Sequence, residues 1–256
     1  MKETLKIILL LILPVLLIAL YSCGMLTNQT APVKQQKLNV VVVTGGHEFE
    51  HDPFFEIFDS IPDIHYVEAN QSDDSEIFED ITGWDYDVIV LYNMTQNISP
   101  KRQDNFITLL NDGVGLVALH HSLGSFQQWP EYRKIIGAKY YLEPTQENGI
   151  KYPAGQFIHD LDISVHVEDP AHPVTKGIKD FTIHDETYSG WFFDSGNHLL
   201  LTTNHPSSNT QLVWTRNYDN ARICYIQLGH DSKAYSNQNY RRLVAQAIRW
   251  CSGEEN

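Results

Sequence analysis

Five apolar runs rich in β-branched residues constrain this chain more than any other feature: LNVVVVT (38–44), IHYVEA (64–69), DVIVLYN (87–93), VGLVALH (114–120) and RICYIQLG (222–229). A strand with one face in water alternates apolar and polar residues, so continuous runs mark strands buried on both faces, as in a parallel sheet covered by helices. Helical patterns lie between them. Asp52-Pro53 reads as an N-cap followed by proline in the first turn, opening a helix through Phe54, Phe55, Ile57 and Phe58. Ser99-Pro100 repeats the signal before Phe106, Leu109 and Leu110, with a stop near Gly113. Tyr240, Leu243, Val244, Ala247, Ile248 and Cys251 recur at the spacing of one helix face. The expected architecture is α/β: a three-layer α/β/α domain over 38–252, built on a mostly parallel, doubly wound sheet. Between about 138 and 205 the pattern changes. ISVHVED (163–169), FTIHDE (181–186) and HLLLTTN (198–204) read as strands joined by turns, an antiparallel excursion or sheet edge.

The N-terminus has a different character. Lys2 and Lys6 precede an apolar run from Ile7 to Leu20, interrupted by Pro14 and shorter than the ~20 residues a spanning helix needs. It reads as a signal-peptide core, with residues 1–22 as leader. Leu20-Tyr21-Ser22-Cys23 resembles the lipobox of bacterial lipoproteins, which makes Cys23 the lipidated residue, 23–37 a flexible tether, and the cell envelope, facing the periplasm, the expected location. The membrane is then a partner through the lipid anchor. A net charge of −14 argues against nucleic acid as a partner and suits a neutral or cationic ligand. Cys224 and Cys251 read as buried free thiols, with a disulfide between them the alternative that a periplasmic location permits.

In an open parallel sheet, ligands collect beyond the carboxyl ends of the strands. Those ends are polar here: TGGHEFEH (44–51), YNMTQN (92–97), LHHSLG (119–124) and QLGHD (227–231). They deliver His47, His51, Asn93, His120, His121, Ser122, His230 and Asp231 toward one rim, and their convergence predicts a shared polar site. HEFEH fits the H-E-x-x-H pattern of zinc proteases, but that chemistry needs both histidines on one helix face, whereas here the helix is expected to begin only after the motif. LHHSLG places Ser122 at a turn like a nucleophile elbow, with Asp185, Glu186 and His230 following in acid-then-histidine order. A serine hydrolase is therefore a lesser alternative, against which stands the bulk of His120 where the elbow favours glycine.

TGGHEF, ALHHS with FQQWPEYRKIIGA (126–138), DPAHPVTKGI (169–178), FTIHDETY (181–188) and YIQLGHD (225–231) together resemble the trehalose-utilisation (ThuA-like) family in order and spacing. The resemblance implies a fold like class I glutamine amidotransferases, related to the flavodoxin-like arrangement, without the amidotransferase cysteine, and a role in disaccharide use. Carried over by position, the family's paired histidines fall on His120 and His121, its aromatic on Trp129, its mid-chain histidine on His159, its acidic pair on Asp185 and Glu186, and its glycine-histidine on Gly229 and His230. His184 departs from the pattern.

The expected protein is an enzyme acting on a sugar or keto-sugar. His121, His120, Glu186, Asp185 and His230 are the expected proton-moving groups, and His47, Asn93, Trp129, Tyr188 and Trp191 the substrate-binding ones. Zinc or another divalent metal on His121, His159 and His230 is an option within that reading. The alternative is a noncatalytic lipoprotein module that binds a sugar or a partner.

Overall fold

The computed structural model describes residues 37–254 apart from 73 and 148, so the leader, Cys23 and all of the tether but Lys37 lie outside the described residues. Among the described residues no helix is long and apolar enough to cross a membrane. The described residues form thirteen strands and five α-helices in the order β1 (Leu38–Gly45), α1 (His51–Asp59), β2 (Ile64–Asn70), β3 (Val88–Asn93), α2 (Pro100–Asn111), β4 (Gly115–Leu119), α3 (Pro130–Ile136), β5 (Ala138–Lys139), β6 (Thr145–Glu147), β7 (Ile150–Tyr152), β8 (Gln156–Val167), β9 (Phe181–Ser189), β10 (Phe192–Phe193), β11 (His198–Thr203), β12 (Gln211–Tyr218), β13 (Ala221–Ile226), α4 (Ser232–Tyr235) and α5 (Gln238–Cys251).

Nine strands form one sheet in the order β2-β1-β3-β4-β13-β12-β11-β8-β9. The first five are parallel; β1, β3, β4 and β13 are largely buried, as their apolar runs require, whereas β2 is an edge strand with most residues partly or fully exposed, so IHYVEA does not mark a strand buried on both faces. The other four are antiparallel. The sheet is thus mixed rather than mostly parallel: the expected excursion is the second half of the same sheet, and β12 extends it beyond residue 205. Alternate residues of each parallel strand serve opposite layers. Val40, Val42, Val88 and Val90 pack with Phe54 and Phe58 of α1 and Leu243 and Val244 of α5. Val41, Val43, Ile89 and Leu91 pack with Phe106 and Leu110 of α2 and Ile135 of α3. Helices on both faces make the three expected layers.

Two local details carry the geometry forward. Only Val165–Val167 of β8 pair with β11, while its first residues pair with β9 alone, so β8 and β9 leave the sheet as a two-stranded ribbon. The ribbon carries a bulge between Ile158 and Leu161, with Asp160 at φ +58°. α1 begins at His51, one residue before the expected cap, and Ser99 caps α2 as its sequence predicts.

α5 closes the first layer against β4. Cys251 Sγ donates to Leu116 O at 3.3 Å, and both Cys224 and Cys251 are free and buried. At Gly115 a Cβ would stand 2.3 Å from the Cys251 carbonyl oxygen, which is backbone and cannot swing aside. Gly115→Ala is therefore expected to lower the unfolding free energy by about 1–3 kcal/mol in urea titrations; an unchanged midpoint contradicts this packing.

Candidate functional site

The chain leaves β4 through His120, whose φ of +48° lies in the left-handed region that non-glycine residues seldom adopt. Tyr225 Oη donates to the His120 carbonyl at 2.7 Å and holds the turn. The His120 ring is buried, with Nδ1 2.6 Å from the Gln227 carbonyl oxygen. A carbonyl only accepts, so Nδ1 carries a hydrogen and the working atom is Nε2. Nε2 faces Glu186 Oε2 at 3.0 Å, His230 Nδ1 at 3.3 Å and the Tyr188 hydroxyl at 2.8 Å.

Glu186 stands at the centre. It comes from β9, and the β8–β9 ribbon brings it over the carboxyl ends of β4 and β13. His159 Nδ1 lies 3.2 Å from its Oε1 and His230 Nδ1 3.2 Å from its Oε2, while His159 Nδ1 and His230 Nε2 are 3.1 Å apart. Burial by itself would raise the Glu186 pKa, but hydrogen bonds with His120 and His230 outweigh it and hold the carboxyl well below its usual range. The same bond with Glu186 raises His230 against the opposing effect of burial.

Asp185 points elsewhere. Its carboxylate accepts the backbone N–H of Gly229 at 2.8 Å, of His230 at 3.0 Å and of Glu186 at 2.8 Å. Burial raises its pKa against the lowering effect of His120 and these N–H groups. It clamps the turn after β13 and so positions His230. Gly229 has φ +109°, and a Cβ there would stand 2.1 Å from the Tyr240 hydroxyl oxygen, which explains the glycine.

His159, Glu186, Tyr188 and His230 open onto a cavity of about 290 Å³, whose other walls include His47, His121, Tyr140 and Phe157. The His121 ring stacks on His47 with centroids 4.4 Å apart, and Tyr92 lies 4.3 Å away. Burial pulls its pKa well below the usual histidine range, so it is a neutral wall. A cleft of about 520 Å³ lies among Arg133, Lys139 and Glu147, but both cations pair with Glu147 and none of the clustered histidines reaches it.

Several expected residues lie outside the cavity. Trp129 packs among Phe106, Phe126 and Tyr132, and Trp191 stacks on Trp214 while donating to the Tyr188 carbonyl, so both are core rather than ligand platforms. Asn93 is buried, its carbonyl accepting from Ser125 Oγ. Ser122 Oγ is buried away from the cavity wall with no hydrogen-bond partner among the described residues, and the strained turn residue is His120, which removes the basis for a serine nucleophile. His51 pairs with Asp52 and Glu68, and His184 with Asp160 and Asp162. Asp231 caps α4. The expected metal set of His121, His159 and His230 is not the one the geometry groups: among the described residues the side chains whose ligand atoms lie close enough to share an ion are His120, Glu186 and His230.

Phe157 and Tyr140 were not expected at the site. Phe157 is 56% exposed at the cavity wall, 5.1 Å ring to ring from His159. The spacing Phe157-x-His159 was the available signal, since residues two apart on a strand share a face.

The architecture and this cluster define an α/β protein with a histidine–carboxylate site at the carboxyl ends of its parallel strands. The chain belongs to the ThuA family, described as trehalose utilisation, whose family model matches residues 39–251. It is similar to a ThuA-like protein from Parabacteroides merdae, with 19% identity, a TM-score of 0.72 and coverage of 86% of this chain and 91% of that one. A ThuA-like protein from Bacteroides uniformis follows at 20% identity and TM-score 0.62, covering 85% and 92%. A β-galactosidase from Bacillus circulans shares the fold at 8% identity and TM-score 0.55, over 86% of this chain but 32% of that one. No curated protein matches this sequence. Membership in the family ties the chain to carbohydrate use.

Asp185→Ala removes the acceptor of three N–H groups, two buried and one half-buried. We expect a loss of about 1–3 kcal/mol for each donor left unsatisfied, read by urea unfolding; a loss below about 1 kcal/mol in total contradicts the clamp.

Proposed function

We propose that this ThuA-family protein is an enzyme acting on a neutral sugar or keto-sugar, moving protons at a carbon beside a carbonyl. The carrying observation is the Glu186 carboxylate, held by three imidazoles and opening onto a cavity walled by Tyr140, Phe157 and Tyr188. A pyranose presents apolar C–H faces and a polar rim, and this cavity offers both kinds of surface. No lysine or arginine lines it, which supports an uncharged ligand over a phosphorylated one. Its volume suits one sugar unit, with the remainder of a disaccharide toward the exposed Phe157. Groups within 3.3 Å of one another provide short paths for proton movement, and isomerisation, hydration and lyase chemistry all use such movement.

The leader-like N-terminus makes anchoring at the cell envelope through Cys23 part of the proposal. Growth with an alkyne-tagged fatty acid is expected to label the protein and not Cys23→Ser; an unlabelled wild-type protein contradicts anchoring.

The test of function is turnover. Incubation with a panel of disaccharides and their keto derivatives, followed by mass spectrometry, is expected to give a new product from at least one. Glu186→Gln should lower kcat by about 10²–10⁴, and Phe157→Ala should act mainly on KM. Binding of a panel member without turnover of any would instead establish a noncatalytic sugar-binding module.

A further inference from the structure

The polar atoms around Glu186 Oε2 pose a problem of hydrogen-bond supply. Because the His120 Nδ1 hydrogen is committed to the Gln227 carbonyl, a neutral His120 presents a lone pair at Nε2. That lone pair meets a carboxylate oxygen at 3.0 Å and His230 Nδ1 at 3.3 Å. Among the described residues the ion-pair partners of Glu186 are all histidines, and no lysine or arginine lines the cavity. Beside the Tyr188 hydroxyl, 2.8 Å from Nε2, either an added imidazole proton or a metal ion relieves this crowding, and the spacing separates the two.

The spacing matches a particular cation. Tetrahedral zinc holds nitrogen and oxygen ligands at about 2.0–2.1 Å, which sets neighbouring ligand atoms about 3.3 Å apart. His120 Nε2, His230 Nδ1 and Glu186 Oε2 form a triangle with sides of 3.0, 3.2 and 3.3 Å. The surrounding contacts are those of metal-bound imidazoles, whose second nitrogen is held by a polar partner. His120 uses Nδ1 on the Gln227 carbonyl, and His230 Nε2 meets His159 Nδ1 at 3.1 Å.

We propose that His120 Nε2, His230 Nδ1 and Glu186 Oε2 bind one divalent transition-metal ion of the zinc type, with a fourth position open toward the cavity. Three protein ligands and an open position are the pattern of a site that receives a substrate oxygen, and two imidazoles with a carboxylate suit zinc, cobalt or nickel better than magnesium or calcium. The inference rests on this cavity being the functional site, but not on turnover. With the ion in place, His159 and Tyr188 are the groups beside it that remain free to move protons.

The experiment measures metal directly. Tag-free protein is stripped with chelator and titrated with ZnCl2 by calorimetry, and separately with Co2+ while visible absorption is followed. One ion per chain is expected, with micromolar or tighter affinity and the intense cobalt bands of four-coordination. His230→Ala and Glu186→Gln should each weaken affinity at least 100-fold, whereas His184→Ala, which alters a surface His–Asp cluster, should leave it unchanged. Circular dichroism identifies which variants fold, and either folded site variant suffices. Stoichiometry below one, or equal affinity in a folded site variant, overturns the proposal. Metal binding without turnover leaves this site intact and removes the enzymatic reading. Turnover by protein that binds neither Zn2+ nor Co2+ overturns the site and leaves the enzymatic reading intact.

Discussion

A buried carboxylate between three imidazoles ties the two halves of this molecule together. Glu186 belongs to the antiparallel half, and His120 and His230 to the ends of two parallel strands. A charge at that depth persists only if it is matched, since removing a partner from a buried ionic cluster costs about 3–5 kcal/mol. The β8–β9 ribbon is thus held over the strand ends by the same contacts that build the site. Stability and chemistry draw on one set of atoms here.

The supporting layers act on that cluster from a distance. Asp185 spends its carboxylate on backbone N–H groups and so sets the position of its chain neighbour's partner, His230. Tyr225 and Gln227, from β13 and the residues just after it, fix the carbonyl and the ring of His120. Adjacent residues in the sequence therefore have unlike duties: Asp185 positions and Glu186 faces the cavity, while His120 joins the polar cluster and His121 forms a stacked, neutral wall. The ribbon's bulge next to His159 and the strained turn at His120 are local irregularities located at the site, where such features concentrate.

Much of this was legible in the sequence, and the reasons are physical. Strands buried on both faces must be apolar throughout, so β1, β3, β4 and β13 announced themselves, as did the helix of Tyr240 to Cys251 through its spacing. The convergence of His47, His120, His121 and His230 followed from the rule that strand ends meet at one edge. What failed to show was long-range. QLVWTRNY of β12 ends in polar residues and gave no strand signal, although its first half is buried. Trp129 and Trp191 have the composition of ligand platforms, and only packing against Phe106 and Trp214 reveals them as core. No pattern in the sequence distinguishes His120 from His121, because the choice depends on a backbone φ of +48° and a carbonyl contributed by Gln227.

The central claim is that residues from four separate segments share one electrostatic environment around Glu186. Nitrogen-15 NMR of the histidine rings tests it most directly. The account predicts that His120 is protonated at Nδ1, and that Glu186→Gln moves the ring resonances of His120, His159 and His230 together while His51 and His184 stay in place. Ring shifts confined to a single histidine, or a His120 hydrogen found only on Nε2, would contradict it.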